Sequence, residues 1–280
     1  MINKIYLVFL KKGFLGLIST IMNGIFSRFF GIKFYKSNQM KHNAIAKKIF
    51  FRCKIKKFED KYYYLSPMPS SDQLAQYYKT VYSNFKTDRE YGLKQGVIIR
   101  DLVHLNLLKS FIPKQIKQNK VFLNFGAGHG GVSHVFWSEG MQIINVEPNG
   151  IPNFYKNRWK TYENIEEVTE NSVDLVYGSH SLEHVQNIDY FKNQISRIIK
   201  PNGYLFWEVP NADSNINGAK IGKIIIPHTY YFTTKFFDSW FSNVVLNKSF
   251  DQSQRLNIIE KWNYYENKKG LVIRALGQID

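Results

Sequence analysis

The chain has a single cysteine, Cys53, among its 280 residues. One thiol excludes an internal disulfide framework and any thiolate-rich zinc cluster. Long apolar runs are missing too. Near the start, the longest uncharged stretch is the fifteen residues from Gly13 to Ser27, whereas a membrane-spanning helix needs about 20. No small-residue cleavage site follows it cleanly, so export is not expected and a cytoplasmic location is. There is no internal repeat, low-complexity tract or flexible linker. With 44% hydrophobic and 21% charged residues, the composition is that of a packed globular chain.

Acidic residues are the other scarcity, 22 against 38 Lys and Arg, for a formal net charge of +16. The excess is concentrated at the start, where residues 1–60 hold 13 basic side chains against Glu59 and Asp60 alone. Phe14, Ile18, Ile21, Met22, Ile25 and Phe29 recur there at helical spacing, interrupted by Gly16 and Gly24. Flanked by Lys and Arg, such a helix suits an anionic membrane surface, which residues 1–57 would contact from the inner face; packing on the main domain or a second subunit is the alternative.

Three segments are expected: a basic amphipathic extension over 1–60, a helical cap and lead-in over 61–112, and a nucleotide-binding domain over 113–280. Tyr62 to Pro69 reads as an extended, proline-punctuated connector. Ser70-Ser-Asp-Gln73 is a capping box opening a helix with Leu74, Tyr77, Tyr78, Val81 and Tyr82 on one face. These tyrosines fit packing at that spacing, or the wall of a pocket. A second helix passes through Ile98 and Leu108 and ends before Pro113. Beyond it, strands at 121–125, 142–146, 173–177 and 204–209 alternate with helices near 131–139 and 190–199, and two more strands follow at 243–246 and 271–275. This alternation predicts an α/β doubly wound, mostly parallel sheet.

The first of these strands runs into Gly126-Ala127-Gly128-His129-Gly130. Glycines let the chain turn sharply and let a ligand approach the backbone, and the following helix offers unsatisfied N–H groups. Glu147, nineteen residues beyond Gly128 at the tip of the second strand, can accept hydrogen bonds from ribose hydroxyls. The loop alone fits S-adenosylmethionine, or a nicotinamide or flavin nucleotide.

Later blocks resemble one family. Val173-Asp-Leu-Val-Tyr-Gly-Ser-His-Ser-Leu-Glu-His184-Val185 is similar to the strand-four segment of class I S-adenosylmethionine (SAM)-dependent methyltransferases, in which Leu-Glu-His-Val is characteristic. Ile198-Ile-Lys-Pro-Asn-Gly203 resembles their turn before strand five. Trp207-Glu-Val-Pro-Asn211, Pro227-His228-Thr-Tyr-Tyr-Phe232, and the lead-in Ser66-Pro-Met-Pro with Tyr77-Tyr78 resemble the branch that modifies small molecules and glycans. The resemblance covers roughly residues 60–245. It implies a seven-stranded Rossmann-like sheet in the order 3-2-1-4-5-7-6, SAM as cofactor, and a site of Asn124, Gly126, Ala127, Gly128, His129, Gly130, Glu147, Pro148, Ser179 and His180. The chain departs from the family at Asn124, where an acid is usual, and in lacking the N-terminal cysteines of a zinc ribbon; no metal is expected.

Methyl transfer needs a base only when the acceptor must lose a proton. His180, His184 and His228 are the candidates, with bracing of local structure as the alternative for each. No Asn/Asp-Pro-Pro-Tyr/Phe motif follows the fourth strand and no RNA-binding motif is present, so a nucleic-acid acceptor is not expected. The acceptor expected is a small molecule or a sugar-containing precursor of a surface glycan. A methyltransferase-like scaffold subunit and a nicotinamide-dependent enzyme are the other readings.

Overall fold

A computed structural model describes residues 32–33, 40–82, 95–128, 130–148, 157–214, 224–250, 264–265 and 270–280. The amphipathic stretch from Phe14 to Phe29 lies outside the described residues, as does His129. In chain order the elements are β1 (Ile32–Lys33), α1 (Met40–Phe50), β2 (Lys54–Phe58), β3 (Tyr62–Ser66) and α2 (Ser71–Tyr77), continued by a π-turn to Tyr82. Then come α3 (Gln95–Phe111), β4 (Val121–Phe125), α4 (Gly131–Ser138), β5 (Gln142–Val146), β6 (Lys160–Tyr162), β7 (Val173–Ser179), α5 (Ile188–Ile198) and β8 (Ile199–Pro210). The last are β9 (Ile224–Ile225), β10 (Tyr230–Phe232), α6 (Thr234–Trp240), β11 (Asn243–Phe250), β12 (Tyr264–Tyr265) and β13 (Val272–Gln278).

The main sheet has the order β6-β5-β4-β7-β8-β13-β11, with the two-residue β12 added at its edge. Counted along the chain, the seven longer strands stand in the expected order 3-2-1-4-5-7-6. From β6 to β8 they run parallel; β13 is antiparallel to both β8 and β11. Each parallel pair is joined by a crossover, which lets helices cover both faces. On one face, α5 presents Ile188, Phe191, Ile195 and Ile198 at helical spacing to a core shared with Leu123, Val176 and Trp207. Its first turn is closed by Asn187, whose side chain accepts from the Tyr190 N–H at 3.0 Å. The other face buries Leu105 and Leu108 of α3 and Val132, Val135 and Phe136 of α4 against Phe122 and Tyr177.

A smaller antiparallel sheet has the order β10-β3-β2. The connector expected over Tyr62 to Pro69 is here a paired strand, β3, held by β2 on one edge and β10 on the other. The turn between β2 and β3 spans the division expected at residues 60 and 61. The capping box is present as read: Gln73 N–H donates to Ser70 Oγ at 3.2 Å and Ser70 N–H to Gln73 Oε1 at 2.9 Å. Cys53, Leu65, Leu74, Tyr77, Ile226 and Tyr231 share a third core beneath this sheet. No helix among the described residues is long and apolar enough to cross a membrane.

Packing is close where β7 meets β8. Gly178 lies beside Trp207, and a Cβ built at Gly178 would stand 2.2 Å from the indole ring. Trp207 is fully buried and cannot retreat into solvent. Gly178→Ala is therefore expected to destabilise the fold by about 1–3 kcal/mol through overpacking. A urea unfolding midpoint equal to the parent's would show that the strands part more easily than this contact implies.

Candidate functional site

The strand order reverses between β4 and β7, and in open α/β sheets the crevice at the carboxyl ends beside such a reversal is where ligands bind. Two loops meet there. The first leaves β4 at Gly126, whose N–H donates to Val146 O at 2.9 Å. Gly126 has φ +71°, and a Cβ on it would lie 2.6 Å from Ser181 Cβ, so torsion and space both demand glycine. Gly128 has φ +55°, and among the described residues a Cβ there would meet Gly126 O alone, at 3.8 Å. Gly130, at φ +72°, caps α4. Ala127 is buried beneath the loop and Pro148 is exposed beside it.

Glu147 is fixed at the tip of β5. Its backbone N–H donates to Tyr162 O at 3.0 Å, and its Oε2 accepts from Gly128 N–H at 2.8 Å. A carboxylate braced against a glycine turn fits a nucleoside-bearing ligand. Asn124 Nδ2 donates to Ser133 Oγ at 2.9 Å, and Ser133 Oγ donates in turn to Asn145 Oδ1 at 2.5 Å, which joins β4, α4 and β5. The amide that replaces the family's usual acid is thus part of the packing under the loop.

The second loop leaves β7. His180 takes a left-handed conformation, φ +54°, and its N–H donates to Glu208 O at 2.8 Å. The 3-10 turn Leu182–His184 follows. Thr229, between His228 and β10, clamps this turn: its N–H and its Oγ1 each donate to Glu183 O at 2.9 Å, and Oγ1 also reaches Val185 O at 2.6 Å. All three histidines singled out in the sequence converge here. The rings of His184 and His228 stand 5.0 Å apart, edge to face, and Tyr78 presents its ring to His184 at 6.1 Å. Tyr77 instead packs on Phe50 in the third core. Burial drives both His184 and His228 towards the neutral form, His228 to about 3. The ring nitrogens of His180 face two carboxylates, Nδ1 at 3.4 Å from Glu183 and Nε2 at 3.6 Å from Glu208.

Glu208 was not singled out from sequence, although the motif containing it was. It is a lone acid in an otherwise apolar run of β8, and a charge so placed must have partners. Ser179 Oγ donates to its Oε1 at 3.0 Å, and Arg274 Nε to its Oε2 at 2.8 Å. His104, fully buried on α3, lies between Glu208 Oε2 at 2.9 Å and Tyr177 Oη at 2.7 Å. Burial alone would raise the Glu208 carboxyl, but these donors hold it well below its ordinary range. A carboxylate only accepts, so His104 carries its proton on Nε2 and accepts from Tyr177 on Nδ1.

The reversed strand order, the glycine turn beside it and the antiparallel β13 define a class I methyltransferase fold. The chain belongs to the methyltransferase domain family, whose model matches residues 97–267. One solved structure agrees on the fold, and two others show a more limited likeness. Burkholderia thailandensis 1,6-didemethyltoxoflavin-N1-methyltransferase, solved with 1,6-didemethyltoxoflavin and S-adenosylhomocysteine, aligns over 80% of this chain and 99% of its own at TM-score 0.50 and 14% identity. A SAM-dependent methyltransferase from Archaeoglobus fulgidus aligns over 63% and 93% at TM-score 0.46 and 17% identity. Haemonchus contortus phosphoethanolamine N-methyltransferase 2, in complex with phosphomonomethylethanolamine and S-adenosylhomocysteine, is 25% identical over 38% of this chain, at TM-score 0.34; the match spans 28% of that protein's length. No curated protein matches the chain.

Burial lowers the His104 imidazole to about 4, an effect only partly offset by Glu208. The folded state thus keeps a neutral ring where the unfolded chain would take up a proton. The His104 contribution to stability is present above pH 6.5 and is lost as the pH falls towards 4. NMR of the ring should place its titration near pH 4; a midpoint above 6 would mean that the ring is solvated.

Proposed function

We propose that this protein transfers the methyl group of S-adenosylmethionine to a polar small-molecule or sugar-containing acceptor, seated between the loop after β7 and the segment carrying His228. The observation that carries this reading is the meeting of two differently built walls at the sheet reversal. One is a glycine cradle with the Glu147 carboxylate; the other is a cluster of titratable side chains, the buried Glu183 and His228 with the half-buried His184. The cradle suits the nucleoside side of the methyl donor, with Glu147 accepting from the ribose hydroxyls and the Gly126–Gly130 backbone lying under the methionyl part. Beside the cradle, Ser179 and His180 complete the floor, with Ala127 and Pro148 at its margins; His129, outside the described residues, belongs to the same loop.

The bound donor supplies a sulfonium methyl group that is already activated, so the protein's work is alignment and exclusion of water. His184 and His228, neutral through burial, face the polar group of the acceptor. His180, about a quarter exposed and flanked by two carboxylates, is the group placed to take the acceptor's proton. Titration calorimetry of the full chain tests the cofactor assignment. S-adenosylhomocysteine is expected to bind and NAD to be silent, and Glu147→Ala should weaken the former at least tenfold. Silence towards S-adenosylhomocysteine from folded protein would leave the scaffold reading in its place.

The 13 basic residues before Glu59 would hold the enzyme on an anionic membrane surface where lipid-linked sugar precursors are assembled. Vesicles containing anionic lipid should pellet the full chain at low salt and release it as salt rises, whereas a chain beginning at residue 37 should stay in the supernatant. Failure of the full chain to pellet at low salt would remove the membrane from this reading.

A further inference from the structure

The side chains of Glu183, His184 and His228 hold an arrangement that sequence reading left without a metal. Each offers one ligand atom, and these three atoms lie within 4.8 Å of one another. Two neutral imidazoles and a carboxylate form a mixed nitrogen and oxygen donor set suited to borderline divalent ions such as Zn2+. Ligands sharing one such ion at about 2.1 Å stand roughly 3–3.5 Å apart, so closure needs about 1–1.5 Å of side-chain rotation.

Two observations point to a ligand at this place. The Glu183 carboxylate is only 1% exposed, and neither of its oxygens accepts a well-formed hydrogen bond. The nearest groups of opposite type are His180 Nδ1 at 3.4 Å and His184 Nε2 at 3.9 Å; no Lys or Arg among the described residues pairs with it. A buried anion in that position costs several kcal/mol unless a cation meets it. In addition, Nδ1 of His184 and Nδ1 of His228 are buried without partners. The Pro227 carbonyl lies near enough to the His184 ring to favour an N–H directed at it, which would leave Nδ1 as the lone-pair nitrogen. A metal-bound histidine is ordinarily oriented in this way, by donating its other ring N–H to a backbone carbonyl.

The backbone is prepared for the same task. Both donors of Thr229 fasten the Glu183 carbonyl, so the turn carrying Glu183 and His184 is locked to the segment carrying His228 before any ion arrives. We propose that Glu183, His184 and His228 bind one divalent transition-metal ion of the zinc class. Three protein ligands leave coordination positions open, and these would hold an oxygen of the acceptor, a hydroxyl or a phosphate. What occupies those positions rests on the methyltransferase reading; the ion site itself does not.

The test uses the full chain, stripped with a chelator, dialysed, and checked for its fold by circular dichroism. Zn2+ is titrated calorimetrically against a competing chromophoric chelator, with Co2+ as a spectroscopic probe. One equivalent of Zn2+ is expected, with micromolar or tighter affinity, together with a visible Co2+ spectrum of a nitrogen and oxygen site. Glu183→Gln and His228→Asn should each weaken Zn2+ at least tenfold. Two substitutions on separate segments guard against one that fails to fold. Folded parent protein that takes up no stoichiometric Zn2+, or full affinity retained in both variants, overturns the proposal. Parallel titration with S-adenosylhomocysteine separates the two readings. Nucleoside binding without zinc would sink the ion site alone, and zinc binding without nucleoside would sink the methyltransferase reading alone.

Discussion

A negative charge placed in the middle of the sheet organises this molecule. Glu208 sits in β8, 1% exposed, where a carboxylate is tolerated only if several donors meet it. They come from four elements: His104 from α3, Ser179 from the end of β7, Arg274 from β13, and His180 from the loop beyond. Removing one partner from such a set leaves an uncompensated buried charge, a loss of about 3–5 kcal/mol. The group therefore fixes the register of the antiparallel strand and the seat of the helix together. It also sets the exit angle of the chain from β7, because the Glu208 carbonyl accepts the His180 N–H and holds that residue left-handed.

From that exit the rest of the site follows by contact. Ser181 comes to lie against Gly126, closely enough that any side chain at Gly126 would push the two loops apart. Gly126 in turn is tied to the end of β5 through Val146 O, and Gly128 to Glu147. The glycine cradle and the histidine cluster are thus two ends of one chain of short-range constraints, with the buried carboxylate at its base.

Much of this was legible in the sequence, for identifiable reasons. The strands at 121–125 and 142–146 were read with their observed bounds, because short apolar runs between turn residues have few alternatives inside a parallel sheet. The capping box at Ser70 and the strand order were legible for similar reasons of local chemistry and motif. Pairing of Tyr62–Ser66 with β10 was not legible. The two segments lie more than 160 residues apart, and the prolines after Ser66 argued for an unpaired connector. The three-residue strands β6 and β10 are too short to show a period. Asn124 is expected at the cofactor from its place in the motif; that its Nδ2 also donates to Ser133 is something only the packing of α4 reveals. Glu183 shows the same limit: a sequence displays the residue but not that its carboxylate ends up between three imidazoles.

The third apolar core, under the β10-β3-β2 sheet, is separate from the two that flank the main sheet, and it supports the segment carrying His228. Over evolutionary time such an arrangement decouples two kinds of change. Substitutions at Leu65, Leu74 or Tyr231 can reshape the wall facing the histidines while the glycine turn and its carboxylate keep their geometry. A lineage with this layout can vary the side chains around His228 by drift in a small body of residues while the sheet and its glycine turn stay as they are.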